Sequence, residues 1–171
     1  MGMSVTISAA DESDVEQIFK LQYLCFQSEA ELYGNYRIDP LVQSLDSLRA
    51  EVASDLVYVA RLGEEVVGAV RGALDPEGPD GTGRIGKLCV HPRLQGHGLG
   101  ARLLEAAESG LAAQRHAKRF RLHTGHLSEP NLRLYRKAGY AMVGDTTGRD
   151  GVRLLLLEKD ARGDAAYAAS A

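Results

Sequence analysis

A glycine-rich stretch in the middle of the chain has the residue types that bind phosphate. An apolar run ends at Pro92, and glycines follow at positions 96, 98 and 100 within Leu88-Cys-Val-His-Pro-Arg-Leu-Gln-Gly-His-Gly-Leu-Gly-Ala101. Glycines let the backbone turn sharply and let a ligand approach the N–H groups closely. A helix that begins here also directs free N–H groups and its positive dipole end at an anion. The stretch therefore predicts a phosphate or pyrophosphate site.

The same glycines also satisfy the dinucleotide pattern G-x-G-x-x-[GA] over residues 96–101. That interpretation needs an acidic residue about 20 residues further on, at the end of the next strand. The next predicted strand, Arg119-Phe-Arg-Leu-His-Thr124, contains no acid. A dinucleotide unit also normally opens its domain, whereas a long segment precedes this one. The pattern thus disfavours a dinucleotide-dependent oxidoreductase.

The elements that must position this loop follow from the apolar spacing. Alternating residues predict strands over 3–9, 56–60, 66–70, 84–91, 120–124, 140–146 and 151–158. Helical spacing predicts helices over 12–27, 40–53, 98–115 and 130–138, and residues 28–40 are expected to be irregular. A capping box at Ser13 and Glu16 is expected to begin the first helix. With one βαβ unit over 84–124, this order predicts a mixed α/β fold.

Length and composition set the class of protein. The 171 residues fit one domain, expected over 1–159, followed by a flexible tail over 160–171. A net charge of −3 gives no reason to expect a nucleic-acid partner. Apolar runs such as Leu154–Leu157 are far too short to cross a membrane. Cys25 and Cys89 are too few for a disulfide framework. We therefore expect a cytoplasmic protein.

Two motifs resemble those of the GNAT N-acetyltransferases. Gln95-Gly-His-Gly-Leu-Gly100 is similar to that family's [Q/R]-x-x-G-x-[G/A] acetyl-CoA loop. A register that begins at Arg93 also matches, but the preceding Val-His-Pro and the helical stripe from Leu99 favour Gln95. A second segment, Asn131-Leu-Arg-Leu-Tyr-Arg-Lys-Ala-Gly-Tyr140, resembles the family's downstream signature. The resemblance extends from residue 3 to about 158. It implies a mostly antiparallel, twisted central sheet with one splayed parallel strand pair and helices on both faces.

The resemblance also implies how acetyl-CoA would bind. In the family, the splayed central strand pairs with the pantetheine arm. A backbone N–H of that strand, near Val90, would polarise the thioester carbonyl. Asn131 matches a residue that hydrogen-bonds the pantetheine. The implied cofactor-binding residues are Leu88, Cys89, Val90, Gln95, Gly96, His97, Gly98, Leu99, Gly100, Ala101, Asn131 and Tyr135. Basic residues over 115–121 and 133–137 either neutralise the coenzyme's 3′-phosphate or form an ordinary solvated face.

The implied reaction is direct attack of a primary amine on the thioester in a ternary complex. Tyr135 matches the residue that protonates the departing thiolate, and a phenol with a pKa of about 10 suits that task. Many relatives carry a glutamate on the strand before the loop, but residues 84–90 contain no acid. The base therefore stays open: it acts from elsewhere, acts through water, or is unnecessary for a neutral amine. The candidates are Glu29, Glu31, His123 and His126, of which Glu29 and His126 join Tyr135 as the expected catalytic residues.

The acceptor is expected to be a small-molecule or peptide amine. Residues 28–40 match the acceptor side of the family's cleft, and Glu29, Glu31, Tyr33, Tyr36 and Asp39 favour a cationic acceptor such as a polyamine, an aminoglycoside-like amine or a lysine side chain. The same segment is equally consistent with a plain connecting loop. His123-x-x-His126 is a poor zinc signal, so no metal is expected.

Two further expectations concern the protein as a whole. Because the strand glutamate is missing, a catalytically inactive acyl-CoA-binding sensor or interaction module is the alternative function. Because dimers are common in the family, a homodimer is expected, and residues 152–157 are one strand that would mediate it.

Overall fold

The computed structural model describes residues 4–148 and 151–161. Within them, seven strands form one sheet in the order β1-β2-β3-β4-β5-β7-β6. The strands are β1 (Val5–Ala9), β2 (Leu56–Leu62), β3 (Glu65–Leu74), β4 (Thr82–Val90), β5 (Arg119–Gly125), β6 (Ala141–Thr147) and β7 (Arg153–Asp160). The α-helices are α1 (Val15–Cys25), α2 (Gln27–Tyr33), α3 (Asp39–Val42), α4 (Leu45–Ser54), α5 (Leu99–Arg115) and α6 (Glu129–Lys137), with short 3₁₀ turns at Glu12–Asp14 and Pro92–Leu94.

Strands β4 and β5 are the one parallel pair of this sheet, and they separate after a very short contact. Only three residue pairs join them, Thr82–Arg84 with Arg119–Arg121. Beyond these pairs β4 stays bonded to β3, and β5 stays bonded to β7. The facing edges of residues 86–90 and 122–125 are therefore left without a neighbouring strand. This confirms the mixed sheet with one splayed parallel pair.

A β-bulge lies where β4 leaves β5. Lys87 and Leu88 together stand opposite Val70, and Lys87 has a φ of 49°, which residues other than glycine rarely adopt. Its ammonium lies 2.8 Å from a carboxylate oxygen of Asp39 and 3.4 Å from one of Glu51. These ion pairs tie the bulge to α3 and α4, so the strained backbone is held by the helices above it.

Helices pack on both faces of the sheet and give two apolar clusters. On one face, leucines of α5 recur at helical spacing and are buried with residues of α6. Gly68 and Gly83 allow this close approach, because a Cβ at either position would lie within 3.0 Å of Leu103 or Leu111. On the other face, α1 and α4 pack against β2 and β3. Both Cys25 and Cys89 belong to this second cluster, although they are distant in sequence.

The largest differences from the sequence prediction lie before residue 55. Residues 28–40 are not irregular throughout, because α2 and α3 lie in that region. The helix predicted over 40–53 is interrupted, and Ser44 begins α4 by accepting a hydrogen bond from the Ser47 N–H at 3.1 Å. The first capping box lies at Asp11 and Asp14, not at Ser13 and Glu16. Local spacing could not locate these breaks, since short helices depend on tertiary packing.

The last strand also differs from one expectation. β7 lies between β5 and β6, so both of its edges are already paired and it cannot mediate a dimer by strand pairing. The sheet's outer edges are β1 and β6, and Met142 and Val143 are exposed on β6. The expected tail lies outside the described residues, except for Asp160, which ends β7, and Ala161. No helix in the described ranges has the length and apolar character needed to cross a membrane.

We expect Leu111→Ala to lower the free energy of unfolding by about 2–5 kcal/mol, because it removes a fully buried side chain that fills the space over Gly72 and Gly83. Chemical denaturation measures the change. Leu74→Ala, at an exposed strand end, is the control and should stay within about 0.5 kcal/mol. Equal effects of the two substitutions would contradict this assignment of the core.

Candidate active site

The loop after β4 is built from a short turn, a side-chain tether and two left-handed glycines. His91 accepts a hydrogen bond from the Arg93 N–H at 3.2 Å within the 3₁₀ turn. The Gln95 amide donates to the Val90 carbonyl at 3.2 Å and so fastens the loop to the strand end. Gly96 and Gly98 have φ values of 85° and 79° with open space beside them. The backbone is thus kept near the surface with no side chain over it.

The N–H groups of this loop have no protein partner. No side chain caps α5, and the N–H groups of residues 96–101 donate to no other described residue. Exposed amides at the positive end of a 17-residue helix form an anion-binding geometry. Leu99 is buried, so only its backbone belongs to this surface. The structure therefore brings the predicted phosphate-loop residues together beside the free edge of β4.

The three strand residues expected to face the coenzyme lie along that free edge. Leu88 and Val90 are half-buried and pack against the α5 cluster, whereas the Cys89 side chain is buried against α1. The neighbouring Cys89 thiol and burial together raise the pKa of the Cys25 thiol, and both cysteines are free. At Cys89, therefore, the backbone rather than the thiol is available to a ligand in the opening between β4 and β5.

Asn131 and Tyr135 lie one turn apart on α6, which follows β5. Tyr135 is 7% exposed, and its ring packs edge-on against Tyr140 with 6.1 Å between ring centroids. Burial first, and then the negative charge of Glu29, raise the pKa of the Tyr135 phenol well above its ordinary value. The phenol is therefore protonated at neutral pH and can act as a proton donor. Asn131 is half-buried, and its side chain bonds to no other described residue.

A chain of hydrogen bonds joins α2 to the segment between β5 and α6. Ser128 Oγ donates to Glu29 Oε1 at 2.7 Å and lies 2.7 Å from the Tyr33 hydroxyl. Because the Ser128 proton goes to the carboxylate, Tyr33 must donate to Ser128, and Tyr33 in turn accepts from the Leu127 N–H at 3.0 Å. Glu29 thus ends a continuous relay close to Tyr135. We name Glu29, Tyr33 and Ser128 the Tyr33 relay.

Ser128 is the member of the relay that the sequence analysis missed. It precedes Glu129-Pro130 at the start of α6, where a serine is normally interpreted as an N-cap. In the structure its side chain makes no cap bond and is instead buried in the relay. A serine at a helix start gives no local signal of this second use, because its partners lie almost a hundred residues earlier in the chain.

The candidate bases separate into two places. The centroid of the His126 ring lies 6.1 Å from that of Tyr33, and the His126 Nδ1 is 3.3 Å from the Arg153 carbonyl oxygen. His126 therefore adjoins the Tyr33 relay, to which Glu29 belongs. Glu31 is exposed on α2. His123 lies apart, in a 290 Å³ cavity near Arg84, and burial lowers its pKa. The structure therefore brings Glu29 and His126 together around Tyr33, and separates His123 from them.

A larger cavity of 830 Å³ opens beside the relay. Its walls come from the end of α2, the segment after β5 and the start of β7. The lining residues are Leu32, Tyr33, Gly34, Asn35, Arg37, His126, Leu127, Gly151, Val152 and Arg153. Of the other acceptor-side residues expected from the sequence, Tyr36 is exposed and Asp39 is ion-paired with Lys87. This volume suits a small molecule.

Two other expectations concern charge. Arg121 forms an ion pair with Glu158 at 2.6 Å, and Arg119 donates a hydrogen bond to Thr82 at 2.9 Å. These two basic side chains therefore bind residues on neighbouring strands of the sheet. Residues 133, 136 and 137 are exposed, so their role near a phosphate stays a prediction beside the alternative of a solvated face. Within residues 4–148 and 151–161, no group of three or more His, Cys, Asp or Glu side chains is arranged to hold a metal ion.

This chain is similar to members of one known protein family. The model of the acetyltransferase (GNAT) family matches residues 15–140. PaiA N-acetyltransferase from Thermoplasma acidophilum, solved in complex with coenzyme A, is 18% identical with a TM-score of 0.75, over 92% of this chain and 99% of that one. The protein yncA from Salmonella typhimurium, solved with its cofactor acetyl-CoA, is 19% identical with a TM-score of 0.73, over 94% and 95%.

The same fold occurs in an enzyme with a protein acceptor. The ribosomal-protein-S18-alanine N-acetyltransferase from Escherichia coli is 14% identical with a TM-score of 0.72, over 94% of this chain and 96% of that one. Among curated protein sequences, none matches this chain. These structures share the fold.

We expect Gly125→Ala to disrupt the relay, because an added Cβ would overlap the Tyr33 hydroxyl. The free energy of unfolding should fall by about 1–3 kcal/mol, as in other overpacked sites. Gly144→Ala is the matched control, since nothing lies within 4 Å of a Cβ there. Tyr33→Ala should remove most of the Gly125→Ala penalty in a double-mutant cycle. Additive effects in that cycle would contradict the close approach.

Proposed function

The chain belongs to the GNAT acetyltransferase family, and from this premise we propose that it transfers the acetyl group of acetyl-CoA to a primary amine by direct attack in a ternary complex. The observation that carries the proposal is the opening between β4 and β5. There the unpaired edge of β4 leads directly into a loop whose N–H groups have no protein partner. Unpaired strand groups and exposed loop amides offer hydrogen bonds to a ligand, and a pantetheine arm with its pyrophosphate matches the two in turn.

Coenzyme binding is assigned to two continuous surfaces. Residues 88–90 offer backbone N–H and C=O groups to the amides of the pantetheine arm, and residues 95–101 offer N–H groups to the pyrophosphate. Asn131, with a side-chain amide that bonds to no other described residue, faces the same opening in this proposal. When bound, acetyl-CoA supplies the activated acyl group, and the protein supplies position and hydrogen bonds.

Tyr135 is proposed as the general acid. The amine nitrogen attacks the thioester carbonyl carbon, the C–S bond breaks, and the phenol proton goes to the departing sulfur. Burial that raises the pKa of the phenol also raises the pKa of a thiol formed beside it, so the pKa values of the proton donor and the leaving group stay close. A backbone N–H near Val90 is the proposed donor to the carbonyl oxygen, where negative charge develops.

Glu29 and His126 are proposed to prepare the amine. The Glu29 carboxylate attracts the incoming ammonium group, and its place beside Tyr135 directs the amine to the thioester. The His126 imidazole takes the amine proton directly or through water. No acid on β4 is needed for this arrangement, and Lys87 stands there in an ion pair with Asp39 and Glu51.

That lysine is also the observation that favours the second candidate, an acyl-CoA-binding sensor without catalysis. A cation at the β4 bulge, in place of an acid, cannot accept a proton from an ammonium group. The two candidates differ in thiol release, because a sensor binds acetyl-CoA without transferring its acetyl group. The proposal further includes a cytoplasmic homodimer that pairs through β6, one of the two outer edges of the sheet, and sedimentation measurements would check the dimer.

The first experiment is calorimetric titration of the protein with acetyl-CoA, followed by a thiol-release assay with a panel of amines. We expect binding in the micromolar range and release with at least one amine. Binding without release on any amine or peptide would support the sensor, and absence of binding would contradict both candidates.

We expect Tyr135→Phe to lower kcat by about 10²–10⁴-fold, because the variant has no proton to give to the departing sulfur. Affinity for acetyl-CoA should stay within about twofold, since the ring and its packing are kept. Tyr36→Phe, on an exposed tyrosine, is the matched control and should leave kcat unchanged. Unchanged turnover in Tyr135→Phe would remove this residue from the mechanism.

A further inference from the structure

The charged residues around the 830 Å³ cavity do not fit the cationic acceptor that the sequence suggests. Arg37 and Arg153 line it together with His126, and none of its described lining residues is an aspartate or glutamate. Of the acids in residues 28–40, Asp39 is taken up by Lys87 and Glu31 is exposed on α2. A second ammonium group of a polyamine would therefore lie beside two guanidinium groups and be repelled.

Both arginines are able to bind an anion. No carboxylate of a described residue lies within 4.0 Å of the Arg37 side chain. Arg153 is held by Asp145, but Nε and Nη2 both contact the single oxygen Oδ2 at 3.0 Å. Its Nη1 donors remain for a ligand, and the ion pair with Asp145 keeps the guanidinium in place. Guanidinium groups bind carboxylates with charge-assisted hydrogen bonds.

A carboxylate lies behind one wall of the same cavity. Tyr33 is part of the cavity wall, and its hydroxyl leads through Ser128 to the Glu29 carboxylate. The charge beside the cavity thus changes from negative at Glu29, two hydrogen bonds behind the Tyr33 hydroxyl, to positive at Arg37 and Arg153. A molecule that carries both an amine and an anion matches both charges.

The walls between these ends are partly apolar. Leu32, Leu127 and Val152 line the cavity, and the side chains of Leu32 and Leu127 are exposed. Apolar side chains of this size gain from contact with an apolar part of a ligand. The acceptor is therefore expected to carry an apolar side chain in addition to its charges.

We propose that the acceptor is an amino carboxylate, such as an amino acid with an apolar side chain, whose carboxylate is bound by Arg37 and Arg153 while its amine lies near Glu29. This inference rests on the proposed acetyl transfer and names its substrate class. Arg37 and Arg153 are then specificity-determining residues and take no part in bond making.

The test compares L-leucine, L-leucinamide and spermidine as acceptors in the thiol-release assay. Leucine and leucinamide differ in the carboxylate, and the amide has the less basic amine, so intrinsic reactivity at neutral pH favours the amide. We expect kcat/KM for leucine to exceed that for leucinamide by at least tenfold. Spermidine should be the poorest of the three acceptors.

Variants connect this preference to the two arginines. Arg37→Gln and Arg153→Gln should each lower kcat/KM for leucine by about 10–100-fold, mainly through KM, because a charge-assisted hydrogen bond is lost. Activity with leucinamide should change less than threefold. Arg49→Gln, on α4 in an exposed pair with Asp46, is the matched control and should change neither acceptor.

Binding is measured in parallel, so that a slow acceptor still gives a result. Calorimetry of leucine and leucinamide with the protein–coenzyme A complex should show the same preference for the carboxylate and its loss in Arg37→Gln. If leucinamide or spermidine supports thiol release and binds as well as leucine, the inference is wrong and the proposed acetyl transfer stands. If acetyl-CoA does not bind at all, the proposed function itself fails.

Discussion

The brief parallel contact between β4 and β5 is the feature on which the rest of the molecule depends. Three residue pairs hold the two halves of the sheet together, and beyond them each strand keeps one edge free. Free backbone edges inside a protein are costly unless something pairs with them. This opening is therefore the natural place for an extended ligand with amide groups, and the loop at its end has N–H groups suited to an anion.

Two side-chain systems keep the opening in shape. On one side, the Lys87 ammonium binds Asp39 and Glu51, so a strained residue in β4 is held by α3 and α4. On the other side, the Tyr33 relay joins α2 to the start of α6. Both systems attach the N-terminal helices to the central strands. The acceptor side and the coenzyme side of the opening are thus joined by side-chain contacts rather than being independent surfaces.

The chemistry proposed for the site follows from the same layout. Burial keeps the Tyr135 phenol protonated, and the nearby Glu29 carboxylate strengthens that effect. The enzyme in this proposal uses no covalent intermediate, so its contribution is to align an amine, a thioester and a proton donor. Arg37 and Arg153 line the cavity beside the Tyr33 relay, and their proposed role is to select the acceptor without touching the reacting atoms.

Periodicity and motif spacing were sufficient for the strands, for α5 and α6, and for the phosphate loop, because these features depend on neighbours in sequence. Apolar residues at regular spacing report a buried face, and glycines at 96 and 98 report a left-handed backbone. Only the tertiary structure located α2 and α3, the insertion of β7 between β5 and β6, and the role of Ser128. It also decided which charges of residues 28–40 remain available, since Asp39 is neutralised by a lysine distant in sequence while Arg37 is not paired with any described carboxylate. Pairing between remote residues is set by how the helices dock on the sheet, and no local pattern contains that information.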